Sequence, residues 1–274
     1  MPVVAQLDAL QGYVLLAVAA LLAGAVNSFA GGGTILTFPV LGAILPDLPG
    51  RLVTANATST IGLWPGAATA AWAYRGERGD VPVWARWLIV PSVLGAVVGT
   101  VLLLVLPPEW FDALVPWLIL TAALLFAGQP QLAALAVRER SHPSPATSPA
   151  SPARIATACG LQFLVSVYGG YFGAGIGILM LAVLGMLGLG DIHRLNGVKN
   201  VLGMVVNGVA AGMFALGSLA GWHAVSWQHA AVMAVASIVG SLGASHLARR
   251  LPARLVRRCV ALIGFALAAY YFLR

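Results

Sequence analysis

Asn27-Ser28-Phe29-Ala30-Gly31-Gly32-Gly33-Thr34 interrupts an apolar run that extends from Leu10 to Leu45, and Tyr168-Gly169-Gly170-Tyr171-Phe172-Gly173-Ala174-Gly175 interrupts a second from Ile155 to Leu189. Each glycine cluster splits its run in two, and the second piece is short in both. The short pieces, Thr34–Leu45 and Gly175–Leu189, lie close to the limit of what can cross a bilayer. Twelve residues of helix rise about 18 Å, against a hydrocarbon core of about 30 Å. Apolar sequence of this length, broken by glycine and polar residues, is the pattern of interrupted membrane helices.

The rest of the chain supports an all-α membrane protein. Of 274 residues, 60% are hydrophobic and 8% charged, whereas soluble domains carry about 25% charged residues. So few charges cannot clothe a water-facing surface, so the surface must lie in lipid. Eight further apolar stretches are expected at Leu10–Ala30, Leu52–Tyr74, Trp84–Leu106, Phe111–Gly128, Ile155–Gly169, Leu195–Gly217, Ser226–Leu247 and Leu255–Leu273. With the two short pieces this gives a polytopic protein of about ten transmembrane segments. No basic residue precedes the first stretch, which is therefore expected to remain as a membrane helix. The net charge of +7 comes from basic residues between apolar stretches, and no nucleic-acid-binding motif accompanies it.

The same charges choose between crossing and re-entrant short segments. With ten spans, 13 of the 15 basic residues fall on one side, leaving Arg51 and Arg274 on the other. With eight spans the division is 8 against 7. The positive-inside rule selects ten, with both termini periplasmic and the protein in the inner membrane. A Ser/Pro/Ala-rich stretch, 129–153, is expected to be a cytoplasmic linker between an N-terminal repeat (1–128) and a C-terminal repeat (154–274).

The two halves are related. At an offset of 143, Phe29 pairs with Phe172, Ile35-Leu36 with Ile178-Leu179, Arg51-Leu52 with Arg194-Leu195, and Ala67-Ala68 with Ala210-Ala211. An offset of 145 later pairs Ser92 with Ser237 and Gly95 with Gly240. Five spans per half is an odd number, so the second half must enter from the opposite face. That is an inverted-topology repeat, the architecture of many secondary transporters.

In such carriers the substrate sits where interrupted helices from both halves meet. A helix restarting after a break offers unpaired N–H groups and the positive end of its dipole, which suits an anion. The candidate substrate-binding residues are Asn27, Ser28, Gly31, Gly32, Gly33 and Thr34 at the first break, and Tyr168, Gly170, Tyr171, Gly173 and Gly175 at the second. The polar starts of the third and eighth segments add Asn56, Thr58, Ser59, Asn196, Lys199 and Asn200. Lys199 is either a substrate-facing cation or a lysine snorkelling at the interface. Trp64, mid-segment beside Pro65, either lines a cavity or packs in the core. Gly95–Gly99 and Gly208–Gly212 are GxxxG pairs suited to close helix contact.

No carboxylate lies deep in a segment; His193, His223, His229 and His246 are the groups left for a proton relay. Cys159 and Cys259 have no ligand partners at motif spacing and suit inert packing. No catalytic residues, metal ligands or cofactor motifs are assigned: neither HExxH nor GxSxG with a histidine partner occurs.

Gly24-Ala25-Val26-Asn27-Ser28-Phe29-Ala30-Gly31-Gly32-Gly33-Thr34 with Pro39, Ala55-Asn56-Ala57-Thr58-Ser59, Gly169-Gly170-Tyr171-Phe172-Gly173-Ala174-Gly175 and Asn196-Gly197-Val198-Lys199-Asn200 together resemble the TauE/SafE sulfite-exporter family in order and spacing. The resemblance implies transport of a small sulfur-containing anion: sulfite, sulfoacetate or a related organosulfonate. A carboxylate or inorganic anion, an anion channel and a non-transporting membrane subunit are the alternatives. The expected partners are the anion and the bilayer, with a homodimer left open.

Overall fold

The computed structural model describes residues 9–29, 31–73, 83–138, 152–186, 192–221, 225–247 and 253–273. They form eleven helices: α1 (Ala9–Phe29), α2 (Thr34–Ile44), α3 (Arg51–Ala73), α4 (Val83–Trp87), α5 (Ile89–Val105), α6 (Pro108–Arg138), α7 (Pro152–Tyr171), α8 (Ile176–Met186), α9 (Ile192–Leu219), α10 (Trp227–Leu247) and α11 (Ala253–Phe272). Every expected segment is a helix. The fourth is split into α4 and α5 by a turn at Leu88, which still reads as one span from Trp84 to Val105. Helix suits a chain in lipid, because each helix satisfies its own backbone polar groups.

The distribution of side chains is that of a membrane protein. Leu10, Val14, Leu15, Val18, Leu21 and Leu22 on α1 face outward, as do Leu94, Val98, Val101 and Val105 on α5 and Val235, Val239 and Leu242 on α10. The interior instead buries Ser28, Thr37, Asn56, Thr58, Ser59, Ser92, Thr100, Gln162, Ser166, Lys199, Ser237 and Ser241. Among the described residues, five helices are long and apolar enough to cross a bilayer: Ala9–Ser28, Trp84–Val105, Pro108–Gln131, Arg194–Leu219 and Trp227–Ala244. The chain is an all-α polytopic membrane protein.

Helices from one half pack on helices from the other in matched pairs. α1 lies against α10 and α7 against α5, while α3 meets α9 and α6 meets α11. The first two contacts are made at glycine. A Cβ on Gly24 or Gly240 would collide with the backbone of Ser237 or Leu21; one on Gly95 or Gly99 would collide with the carbonyl oxygen of Phe163 or Val167. Small residues bring the backbones together, as expected of membrane helices, which pack without a hydrophobic driving force. Serine and threonine then tie the crossings. Ser241 Oγ donates to Gly24 O at 3.1 Å and Gly66 O at 2.8 Å, and Thr100 Oγ1 donates to Gly170 O at 3.2 Å. Gln162 Nε2 donates to Ser92 Oγ at 2.9 Å.

Four expectations need correction. The stretch expected to open the linker is helical to Arg138, because the apolar pattern of α6 runs on through Leu132-Ala133-Ala134-Leu135-Ala136-Val137; residues 139–151 lie outside the described residues. In the Gly208–Gly212 pair only Gly208 meets a neighbouring helix, and it meets a side chain of α3 rather than its backbone. Gly208 accommodates the Trp64 ring, and Gly212 has open space before it. Trp64 is no core residue: it is 40% exposed, and its Nε1 donates to Met204 O at 3.2 Å. Of the histidines, His223 lies outside the described residues, as do the side chains of His193 and His246. His229 stacks on Tyr13 and shares a hydrogen bond with Ser226 Oγ at 2.6 Å. Cys259 is exposed rather than packed inside.

Candidate functional site

The two breaks meet. Gly31 packs on Gly177, and Gly32 on the Ala174–Gly175 backbone, so closely that a Cβ on either would collide. Gly31 and Gly32 have φ of +68° and +122°, and Gly173 and Gly175 have +82° and +78°. These are left-handed conformations that glycine adopts without steric cost. Glycine thus serves twice here: it turns the chain and lets two backbones touch.

Beside this junction α3 and α9 enclose a cavity. Its wall is made by Asn27, Gly31, Gly32 and Thr34 from the first break, Leu63 and Ala67 from α3, and Gly173, Ile176 and Gly177 from the second break. Lys199, Asn200, Gly203, Met204 and Asn207 complete it from α9. The cavity measures about 30 Å³, space for one or two water molecules. Lys199 is 2% exposed and Asn200 6%. A lysine so enclosed is not snorkelling at an interface. Asn200 Nδ2 is buried without a hydrogen-bond acceptor, a costly arrangement for an amide unless something in the cavity accepts from it.

The first break is capped from within. Gly32 N–H and Gly33 N–H both donate to Asn27 Oδ1, each at 2.7 Å. The expectation that the restarting helix offers open N–H groups therefore fails for these two. Asn27 lies in the last turn of α1, close enough for its short side chain to reach over the break. At the second break the position related by the 143-residue offset is Gly170, and Tyr168 instead donates its hydroxyl to Ala174 O at 2.6 Å.

Of the candidate residues, the structure gathers Asn27, Gly31, Gly32, Thr34, Gly173, Lys199 and Asn200 around the cavity. The others stand outside its wall. Ser28 Oγ donates to Gly24 O, and Ser59 Oγ bonds Thr37 Oγ1 at 2.7 Å. Thr58 Oγ1 accepts from Ser226 N–H at the start of α10. Asn56 Nδ2 donates to Tyr171 O at 3.1 Å, tying α3 to the second break. Gly170 seats the backbone of Ala96, Gly175 packs near Leu125, and Asn196 is half-buried one turn before Asn200. Met204 and Gly203 in the wall were not singled out as site residues. The available signal was their spacing from Lys199 and Asn200, which places them on one face of a helix.

Arg51, one of the two arginines at equivalent positions, forms an ion pair with Asp47 at 2.9 Å. Its mate Arg194 is exposed.

A family model described as sulfite exporter TauE/SafE matches residues 16–271. Among curated proteins, the chain is 28% identical over 256 residues to a protein of Sinorhizobium sp named "Probable membrane transporter protein ORF9", covering 92% of this chain and 88% of that one. No solved structure matches. The chain belongs to the sulfite exporter TauE/SafE family of membrane transporters.

Proposed function

We propose that this TauE/SafE family member is a secondary carrier of a small sulfur-containing anion, working by alternating access across the inner membrane. The observation that carries the reading is Lys199: a cation enclosed in a cavity whose other polar side chains are Asn27, Asn200, Asn207 and Thr34. A buried lysine among amide and hydroxyl side chains offers an anion a favourable electrostatic environment. The amides supply hydrogen-bond donors suited to a sulfur oxyanion. Of these anions, sulfite needs the least enlargement of the cavity. The matched packing of the two halves and the meeting of their breaks support a carrier built from inverted repeats, with both termini periplasmic and the connection between the halves, within 129–153, cytoplasmic.

Proteoliposomes holding the purified protein are expected to accumulate labelled sulfite, to be competed by sulfoacetate, and to be indifferent to zwitterionic taurine. Lys199→Ala is expected to abolish uptake while the protein remains folded by size-exclusion profile. Undiminished uptake by that variant would remove Lys199 from the site. Competition by simple carboxylates at equal concentration would move the assignment from sulfur oxyanions to anions in general.

A further inference from the structure

The cavity wall contains its own imitation of an anion. Asn27 Oδ1 accepts from two successive backbone N–H groups, Gly32 and Gly33, at 2.7 Å each. Two convergent backbone donors at a helix start form the cradle that proteins use for phosphate, sulfate and carboxylate oxygens. An uncharged amide oxygen fills it here. We propose that Asn27 is a built-in stand-in for the transported anion: substrate displaces its side chain and takes over the Gly32 and Gly33 donors. This rests on the carrier reading above and adds a residue that sets affinity.

Independent observations converge on the same place. Asn200, 6% exposed, has its Nδ2 in the interior without an acceptor and belongs to the same wall as Asn27. Lys199 stands beside it. A substrate oxygen on the Gly32 and Gly33 donors would thus lie at the edge of a cavity whose wall also holds the Asn200 amide donor and Lys199. Space argues likewise. About 30 Å³ admits one or two waters, so a sulfur oxyanion needs a side chain to withdraw. Asn27 both lines the cavity and holds its donors, so its withdrawal supplies room and hydrogen bonds in one movement. The exchange is favourable because hydrogen bonds to a charged acceptor are roughly twice as strong as those to a neutral one. The device is one-sided, since Gly170 occupies the related position in the second half.

The test measures sulfite binding to the purified full-length protein in detergent, by calorimetry and by thermal shift. Asn27→Asp is the decisive variant. Aspartate caps a helix about as well as asparagine, so the protein should melt as the parent does. Its fixed negative charge would hold the donors against substrate, and affinity should fall about a hundred-fold or more, as for an uncompensated charge at a binding site. Asn27→Ala removes the competitor. It should melt lower without sulfite and bind sulfite about five- to ten-fold more tightly, the worth of a lost cap. Asn27→Ser, a shorter cap, should shift both quantities the same way by less, and serves if the alanine variant does not fold. A plain capping role predicts otherwise: Asp would bind as the parent, and Ala would lose affinity along with stability. Either result overturns the proposal while leaving the carrier reading intact. Absence of sulfite binding by the parent protein and every variant would overturn both.

Discussion

The two chain breaks meet backbone to backbone, yet they are furnished differently. The first is bridged by Asn27, whose oxygen holds Gly32 and Gly33. The second has Gly170 in that place, packed against Ala96. The helices that follow differ in the opposite sense. Asn56 of α3 is the 143-residue mate of Lys199 of α9. Asn56 is used structurally, on Tyr171 O, whereas Lys199 lines the cavity. Each half thus carries one element that the other lacks: a capped break in the first, a cation in the second. The helices of the two halves pack in matched pairs, but under the proposed carrier reading an anion has one charge to place. The cavity gains polarity and direction from the departures from symmetry, while the helix crossings keep their stability from the adherence to it.

The largest effect is expected where the halves are alike. Gly240 on α10 lies against the Leu21 backbone on α1, and Gly99 on α5 against the Val167 backbone on α7. A leucine at either position meets main chain rather than a side chain that can turn away. The penalty should exceed the ~1–3 kcal/mol of ordinary overpacking. Gly240→Leu and Gly99→Leu are both expected to fail to yield monodisperse protein on size exclusion in detergent. If one fails and the other folds, the two crossings are not equivalent supports.

The next effect is expected where the halves differ. Lys199→Asn gives both halves an asparagine at the related position. Sulfite uptake should fall by about a hundred-fold or more, the scale of losing one member of a buried charge pair. Asn56→Lys, the mirror exchange, should leave no compensating transport. It places a cation at a site 1% exposed and removes the tie to Tyr171 O, so lower melting temperature is the expected result. Retained transport by Lys199→Asn would show that no cation is needed at this position and would remove Lys199 from the site.

Much of this was legible in the sequence because membrane helices announce themselves by length and hydropathy. All ten segments were foreseen, and so were the two breaks, since glycine clusters inside apolar runs have few other uses. Tertiary placement was harder to foresee. Thr58 and Ser59 look like cavity residues by composition, but their hydroxyls go to Ser226 N–H and Thr37, as small hydroxyls between packed helices commonly do. Asn27 and Lys199 were both singled out, but the cap that joins Asn27 to Gly32 and Gly33 depends on how the chain turns over the break. Met204 was not assigned to the site because nothing in composition distinguishes a cavity-facing methionine from a lipid-facing one. The end of α6 was missed because Gly128 and Pro130 look like a stop, though helices in lipid tolerate both when neighbours re-satisfy the backbone.

The smallest effect is expected within one motif. Gly95–Gly99 and Gly208–Gly212 have the same spacing but different surroundings. The first pair sits against the backbone of α7, whereas Gly208 faces the Trp64 indole and Gly212 open space. Gly208→Ala should press on Trp64 Nε1 and weaken its hydrogen bond to Met204 O, a loss of about 1 kcal/mol. Gly212→Ala meets nothing, and alanine is the better helix former by about 0.8–1 kcal/mol. It should melt at the same temperature as the parent or slightly above, with sulfite uptake unchanged. A clear loss of stability in Gly212→Ala would mean that another surface packs on this glycine in the membrane, a second copy of the chain being the first to examine by crosslinking. In that event Gly208–Gly212 would regain the role its spacing suggests, between molecules rather than within one.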